Sequence, residues 1–485
     1  MDSDIRKLEP LALWNHFADL NSVPRPSKKE ERVIAFIKSF GESLGLETRV
    51  DEAGNVIIRK PASPGMENRE TVVLQSHLDM VHQKNSDSDF DFETQGIEMY
   101  IDGDWVKARG TTLGADNGIG VAAIMAILSS DEITHPPLEA LFTVDEETGM
   151  TGAMGLKGGE LSGSILLNLD TEDDDELTIG CAGGIDVTSE GSYGVEAVPS
   201  GWQAFKVAIT GLTGGHSGMD IHLGRANANK LMNRLLYRLM QTMQGRIVSI
   251  DGGGLRNAIP RESEAVVVLD GAQSITDFAK SIEAEFRAEY STTDPDLTVS
   301  FGKTELPREM MARKDQDAIL AAVYACPVGI YRMSPDISGL VQTSNNLARV
   351  LVRNGTYSVQ CLTRSSVESE KMDLATAIKL LFELAGGTVT FGGEYPGWTP
   401  KPSAPIVQLM TEIYLELFRD EPHVMACHAG LECGILGTNY PDMQMISFGP
   451  NIRGAHSPDE RVQISSVQKF WSLLLETLKR IPEKG

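Results

Sequence analysis

The sequence predicts an α/β protein whose mostly parallel sheet is interrupted by an α+β segment. Three observations carry that reading. Between about residues 30 and 186, apolar runs of four to six residues alternate with stretches of helical period, the mark of parallel strands buried on both faces. After Cys181-Ala182-Gly183-Gly184-Ile185-Asp186 the order becomes strand, helix, strand, strand, helix, strand, which is ferredoxin-like. The length of 485 residues, with 41% hydrophobic and 23% charged residues, suits a folded protein of about three packed units.

In chain order, residues 31–45 (ERVIAFIKSFGESLG) have helical period and 55–60 (NVIIRK) are extended. The apolar runs at 71–81 (TVVLQSHLDMV), 138–147 (LEALFTVDEE) and 164–170 (SILLNLD) read as buried strands, and 118–130 (GIGVAAIMAILSS) as a helix between them. In the second segment, strands are expected at 204–210, 246–250, 264–270 and 297–301, with helices at 226–240 and 275–290. A related set follows, with helices at 317–325 and 375–387 and strands at 348–353, 357–363 and 388–393. Asn354-Gly355 makes the hairpin turn between two of these strands. The first strand of this second set is not assignable from the pattern. Two related units are therefore expected between 187 and 399, ended by the Pro-rich connector 395–405 (YPGWTPKPSAP). A helix, the strand 443–449 (MQMISFG) and a closing amphipathic helix bearing Val467, Phe470, Trp471, Leu474, Leu475 and Leu478 complete the chain.

A formal charge of −25 repels phosphate backbones and anionic headgroups, so no nucleic acid or membrane partner is expected. The first residues lack the pattern of a secretory signal. The longest apolar run, Ile119 to Leu128, falls short of the ~20 residues of a membrane span. A cytoplasmic protein is expected. Five scattered cysteines without CxxC spacing read as reduced and mostly buried.

Four candidate sites follow predicted strands or open a helix, and in open α/β sheets ligands bind beyond the carboxyl ends of the strands. In Ser76-His77-Leu78-Asp79, residues two apart face the same side, so His77 can bind a metal while Asp79 holds its other ring nitrogen; taken alone, the pair reads equally as a partly buried His satisfied by a nearby Asp. Asp116 in Gly114-Ala115-Asp116-Asn117-Gly118 would be an ordinary helix cap if isolated, yet the glycines allow close approach to a ligand. Asp145-Glu146-Glu147 places three carboxylates together, which calls for a compensating cation. Asp170 ends its strand, while the acidic run after it, 171–176, reads as a solvated loop. His77, Asp116, Glu147 and Asp170 form a mixed N/O set suited to zinc or a similar divalent ion. A second imidazole is available in Gly454-Ala455-His456-Ser457-Pro458-Asp459. If His456 joins this set, residues 1–186 and 400–485 make one discontinuous catalytic domain and 187–399 an insertion.

The motifs SHLDMV, TTLGADNGIG, TVDEETG, LNLD, GLTGGHSG, RNAIPRE and GAHSPDE, in this order, resemble those of the M20 di-zinc peptidases, and in particular the bacterial cytosolic dipeptidase branch that splits aminoacyl-histidine substrates. The resemblance runs from end to end. It implies a zinc-peptidase-like catalytic domain with a lid made of two ferredoxin-like units. It implies two zinc ions, one on His77 and Asp170, the other on Glu147 and His456, with Asp116 bridging them. Cobalt and manganese also suit such ligands. Glu146 is then the general base and Asp79 orients His77. His216, in Gly214-Gly215-His216-Ser217-Gly218, would stabilise charge developing on the substrate carbonyl. Asn257 and Arg364 would hold substrate, with Arg364 able to grip a free C-terminal carboxylate.

The expected reaction is hydrolysis of dipeptides, including Xaa-His dipeptides such as β-Ala-His, by a water activated at the metals, with Glu146 taking its proton. A homodimer is the family's expectation. The alternatives are an N-acyl amino acid amidohydrolase or a one-residue exopeptidase of the same fold, and, from another class, a non-enzymatic binding protein. The last should have lost part of the site, whereas every implied ligand is present.

Overall fold

The computed structural model describes residues 4–271 and 275–485. The apolar runs form strands because nothing in them competes for solvent. Val72–His77 and Leu138–Thr143 are buried along their whole length and pair in parallel, with His77 opposite Thr143. Val72–His77 pairs in parallel on its other side with Ile165–Asn168. Gln444–Ser447, from the far end of the chain, lies parallel to Ile165–Asn168. Antiparallel strands flank this parallel centre: Val56–Lys60 and Glu47–Val50 on one side, Glu176–Cys181 on the other, in a sheet of eight strands. His77 ends opposite Thr143 and Asn168 opposite Gln75, so the segments after these three parallel strands leave from one edge. That edge carries the candidate site.

The helix Ala115–Ser129 is apolar on every side and buried from Asn117 to Leu128, as expected of a helix without a polar face. It packs on Leu11–Asn21 and on Val72–His77. The closing helix Ile464–Arg480 buries Val467, Phe470, Leu473, Leu474 and Leu478 and packs against Pro405–Phe418.

The chain divides into two compact units: Met1–Gly180 with Pro400–Ala426 and Leu431–Gly485, and Cys181–Thr399 with Cys427–Gly430. The second contains a sheet of nine strands. Thr298–Thr304, Gln203–Thr210, Ser263–Leu269 and Gly245–Gly253 lie in that order, all antiparallel, and Gly245–Gly253 continues the sheet to Val341–Arg353. Next come Thr356–Ser365, Gly183–Ser192 and Thr388–Tyr395. Each half has the ferredoxin-like strand order. The first strand of the second half is Gly183–Ser192, which precedes the whole first half in the chain. The hairpin at Asn354-Gly355 has positive φ at both residues, 53° and 77°, as a type I′ turn requires. A large core is built from Leu231, Leu235 and Leu239, Ile282 and Phe286, Leu320 and Val323, and Leu374, Ile378 and Phe382, on the helices Ala228–Thr242, Ile275–Glu289, Arg313–Ala325 and Glu368–Leu384.

Among the described residues no helix is long and apolar enough to cross a membrane. Cys181, Cys326, Cys361 and Cys433 are buried.

Candidate active site

The first unit gathers one group of candidates at the strand edge. His77 is the last residue of its strand, buried, with Nε2 3.1 Å from Asp116 Oδ1 and 3.5 Å from Asp170 Oδ1. On its other ring nitrogen, Nδ1 lies 3.3 Å from Asp79 Oδ1. Asp79 also accepts from Ser27 Oγ at 2.8 Å and from the backbone N–H groups of Glu146 and Glu147 at 3.0 and 3.3 Å. One buried carboxylate thus fixes both the ring of His77 and the turn that presents the next two acids. That turn starts at Asp145, whose φ of 57° is stabilised by Lys28 Nζ at 2.8 Å and by the hydroxyls of Thr148 and Thr151.

Asp116 follows the left-handed Gly114 (φ 68°) and is itself extended (φ −80°, ψ 110°), at a kink where the buried helix begins. A Cβ on Gly114 would come within 2.5 Å of Arg25 Nη2, so the close packing there requires glycine. From the tail of the chain, His456 Nε2 reaches 3.2 Å from Asp116 Oδ2 and 3.0 Å from Glu147 Oε2. His456 is held at φ 64°, an uncommon conformation for a residue with a side chain and one that concentrates at functional sites.

These atoms form two overlapping sets of potential cation ligands, His77/Asp116/Asp170 and Asp116/Glu147/His456, with ligand atoms within 4.8 Å of one another in each. Asp116 belongs to both. Glu146 joins His77 and Glu147 in a further set. Four carboxylates share this space with two imidazoles, and Glu147 Oε1 is buried without a hydrogen-bond partner. Burial, reinforced by the neighbouring acids, pushes Glu146 well above the usual carboxyl range and raises Glu147 and Asp170. Hydrogen bonds to Asp116 and Glu147 lift His456 to about 11. Burial opposes the charge on His77, yet Asp170 and Asp116 outweigh it and raise the ring well above its ordinary value. Such an excess of buried negative charge, with an orphaned oxygen and imidazole nitrogens facing inward, fits a divalent cation. A fourth set, Glu30/Asp79/Asp145, is already supplied by Lys28, Ser27 and the threonines.

The second unit holds the other group. His216 and Asn257 are brought side by side by a short ladder, His216 opposite Ala258 and Gly215 opposite Ile259, with the Asn257 carbonyl accepting from Ser217 N–H at 2.7 Å. His216 Nδ1 accepts from the backbone N–H groups of Gly218 and Met219 at 3.2 and 3.0 Å, so its Nε2 carries the hydrogen of the neutral ring. Burial, then the Arg364 guanidinium, keeps His216 below its ordinary value. Arg364 is buried, donates to Tyr395 Oη at 2.5 Å and leaves its Nε without a partner. No carboxylate pairs with it among the described residues, which suits a guanidinium awaiting an anionic ligand.

His428 is buried beside these residues, with Nε2 2.7 Å from Ser344 Oγ. Burial and Arg364 push its imidazole down to about 3, whereas the unfolded chain takes up that proton near pH 6.5. The stability contributed by neutral His428 is therefore present above about pH 6.5 and lost as the pH falls toward 3, at up to about 1.4 kcal/mol per pH unit. Urea unfolding of the parent and of His428→Gln at pH 7 and pH 5 should show the smaller acid loss in the variant. Equal losses would assign the acid sensitivity elsewhere.

The model of Peptidase family M20/M25/M40 matches residues 73–480. The chain belongs to this family. Among its M20 relatives, the cytosol non-specific dipeptidase of Escherichia coli is 43% identical over 99% of this chain and 100% of that one. The aminoacylhistidine dipeptidase of Vibrio alginolyticus superposes with a TM-score of 0.93 at 44% identity, covering 100% of this chain and 99% of that one. A tripeptidase of Staphylococcus aureus shares the fold, with a TM-score of 0.56 at 15% identity over 98% of this chain and 99% of that one.

Within the M20 chain, some residues near the site escape a reading by motif. Glu432 is buried, accepts from Gln75 Nε2 at 2.6 Å and Thr143 Oγ1 at 2.7 Å, and is pushed by burial to about 7. His428 and Glu432 share the segment His428-Ala429-Gly430-Leu431-Glu432, and that pairing of rare buried types around a glycine was the available signal. The acidic run 171–176 is half-buried rather than a solvated loop. Asp173 pairs with Arg453, and Asp174 with Lys469 and Asn451. The partners come from the far end of the chain, which local charge counting does not see.

Proposed function

We propose that this M20 chain is a dipeptidase acting with two divalent ions, zinc by preference. His77 and Asp170 would hold one ion, Glu147 and His456 the other, and Asp116 would bridge them. The observation that carries this reading is the pair of overlapping ligand sets that share Asp116. When bound, such ions supply Lewis acidity, which makes water acidic near neutral pH and polarises a peptide carbonyl.

The chain's own residues do the rest. Glu146 takes the proton from the attacking water and returns it to the departing amine, a task suited to a carboxyl whose affinity for protons is raised by burial. Asp79 fixes the ring of His77 and the turn bearing Glu146. His216, with its hydrogen on Nε2, donates to the carbonyl oxygen as negative charge builds there. Asn257 holds the substrate backbone and Arg364 its free C-terminal carboxylate. We read residues 187–399 as the lid that carries these recognition groups, and 1–186 with 400–485 as the catalytic domain. The names of the E. coli and Vibrio relatives support dipeptide substrates, Xaa-His dipeptides among them, and a cytosolic location. A homodimer is expected on the family resemblance.

Steady-state assays on β-Ala-His, Leu-Gly, a tripeptide and N-acetyl-Leu test the reading. The dipeptides should be cleaved with kcat/KM at least about tenfold above the others, because an enzyme that grips both ends of its substrate rejects extensions at either end. A chelator should abolish the activity and zinc restore it. Faster cleavage of the acetylated amino acid would replace this reading by the amidohydrolase one.

A further inference from the structure

Glu460, four residues after His456, is completely buried in the first unit. Its carboxylate accepts four backbone N–H groups in succession: Oε2 from Leu113 at 2.7 Å and Gly114 at 2.9 Å, Oε1 from Ala115 at 2.8 Å and Asp116 at 3.2 Å. Leu113 and Gly114 lead into the helix and Ala115 and Asp116 open it, so no helical carbonyl satisfies these N–H groups; one side chain from 344 or more residues away takes all of them. On the carbonyl side of the same turn stands Arg25, also buried. Its Nη2 donates to Gly114 O at 2.6 Å and Asn21 Oδ1 at 3.0 Å, and its Nη1 to Leu78 O at 3.1 Å and Asp79 O at 3.2 Å. The guanidinium compensates the buried carboxylate and ties the segment after His77 to the turn before Asp116.

We infer that Glu460 is a positioning residue that sets Asp116 at the shared corner of the two ligand sets and locks the loop bearing His456 to that corner. The inference rests on the reading of Asp116 as the bridge. The geometry supports it in three ways. The four accepted hydrogens fix the backbone of residues 113–116, and therefore the direction in which Asp116 leaves it. The same side chain anchors the end of the 454–460 loop, so one residue sets the distance between Asp116 and His456. Glu460 touches neither imidazole and enters none of the ligand sets, so it is no ligand itself; beside placement it adds only the repulsion that its charge shares with Asp116.

The test is titration of zinc into chelator-stripped protein by calorimetry, with the parent and Glu460→Gln compared per folded molecule. Glutamine keeps the volume but turns an amide NH2 toward two of the four N–H donors. The parent should take up two equivalents. In Glu460→Gln both should weaken together, by about 10- to 100-fold, the range found for residues that orient metal ligands. Raising buffered free zinc should restore kcat while KM for a dipeptide stays at the parent value, which a general loss of fold would not do. Should Glu460→Gln fail to fold, Glu460→Asp, which keeps the charge but falls short of the turn, is read in the same titration and should show the same paired weakening. Two equivalents bound to the variants at parental affinity would overturn the inference. A parent that binds no zinc would instead overturn the di-metal reading beneath it.

Discussion

Replacing Glu146 by glutamine is expected to lower kcat for dipeptides by about 10²- to 10⁴-fold, the range contributed by a positioned general base, with metal content unchanged. Glutamine preserves the shape of the side chain, and the backbone N–H of residue 146 still reaches Asp79, so the turn should hold. What is lost is the ability to accept a proton. Burial first, then the charges of Asp170, Glu432 and Glu147, favours the protonated carboxyl, opposed by His77. Such a group accepts a proton readily and passes it on only when the recipient is a developing amine. The prediction is sharp because Glu146 also lies in a possible ligand set with His77 and Glu147. If Glu146 were a ligand, Glu146→Gln would lose metal along with activity. Metal analysis and turnover measured on the same preparation separate the two roles, and a variant of undiminished kcat would remove Glu146 from the chemistry altogether.

How far the sequence leads can be judged from particular residues. Strand ends were legible because a run such as Val72-Val73-Leu74 has no polar face, so its burial on both sides and its polar end at His77 follow from hydrophobicity alone. The helix expected at 226–240 was legible through its apolar stripe and lies at Ala228–Thr242, whereas the one expected at 375–387 is Glu368–Leu384, its polar first turns having escaped the pattern. The strand Gly183–Ser192 was not, since its glycines and hydroxyl residues lack a strand pattern and it is stabilised by neighbours 164 or more residues distant, such as Ser192 opposite Thr356. The seven residues grouped in the first unit were each visible as motif residues, but their mutual distances depend on where the tail returns. The roles of Arg25 and Glu460 were invisible because they are exerted through tertiary hydrogen bonds, and Glu432 stood out beside His428 without a role that the sequence could assign. An Arg among prolines carries no local sign that it will be buried against backbone, and the Glu that closes GAHSPDE is visible only as a motif residue, not as a backbone acceptor.

Substitution of His456 by alanine tests the convergence of front and tail most directly, and is expected to cut bound metal from two equivalents to one and to reduce turnover at least as severely as Glu146→Gln. Among the described residues, His456 is the only member of these ligand sets from beyond residue 400. Its Nε2 lies within 3.2 Å of both Asp116 and Glu147, so removing the ring leaves one ligand set with two carboxylates and no nitrogen. The other set keeps His77, Asp116 and Asp170 intact, which is why one equivalent should persist. Without metal the ring holds its proton up to about pH 11, because the two carboxylates need a positive neighbour. A divalent ion must displace that proton to take its place. Removal of the ring therefore eliminates a ligand and leaves two acids crowded together, so the apo variant should also unfold at lower temperature near neutral pH. The sign is fixed by linkage: a group whose folded value is raised above its unfolded 6.5 stabilises fully below that pH and progressively less as the pH climbs toward 11. Thermal unfolding of chelator-treated parent and His456→Ala should accordingly differ most near pH 6 and converge in alkali. Retention of two tightly bound metals by His456→Ala would detach the tail from the site and return residues 400–485 to a structural role.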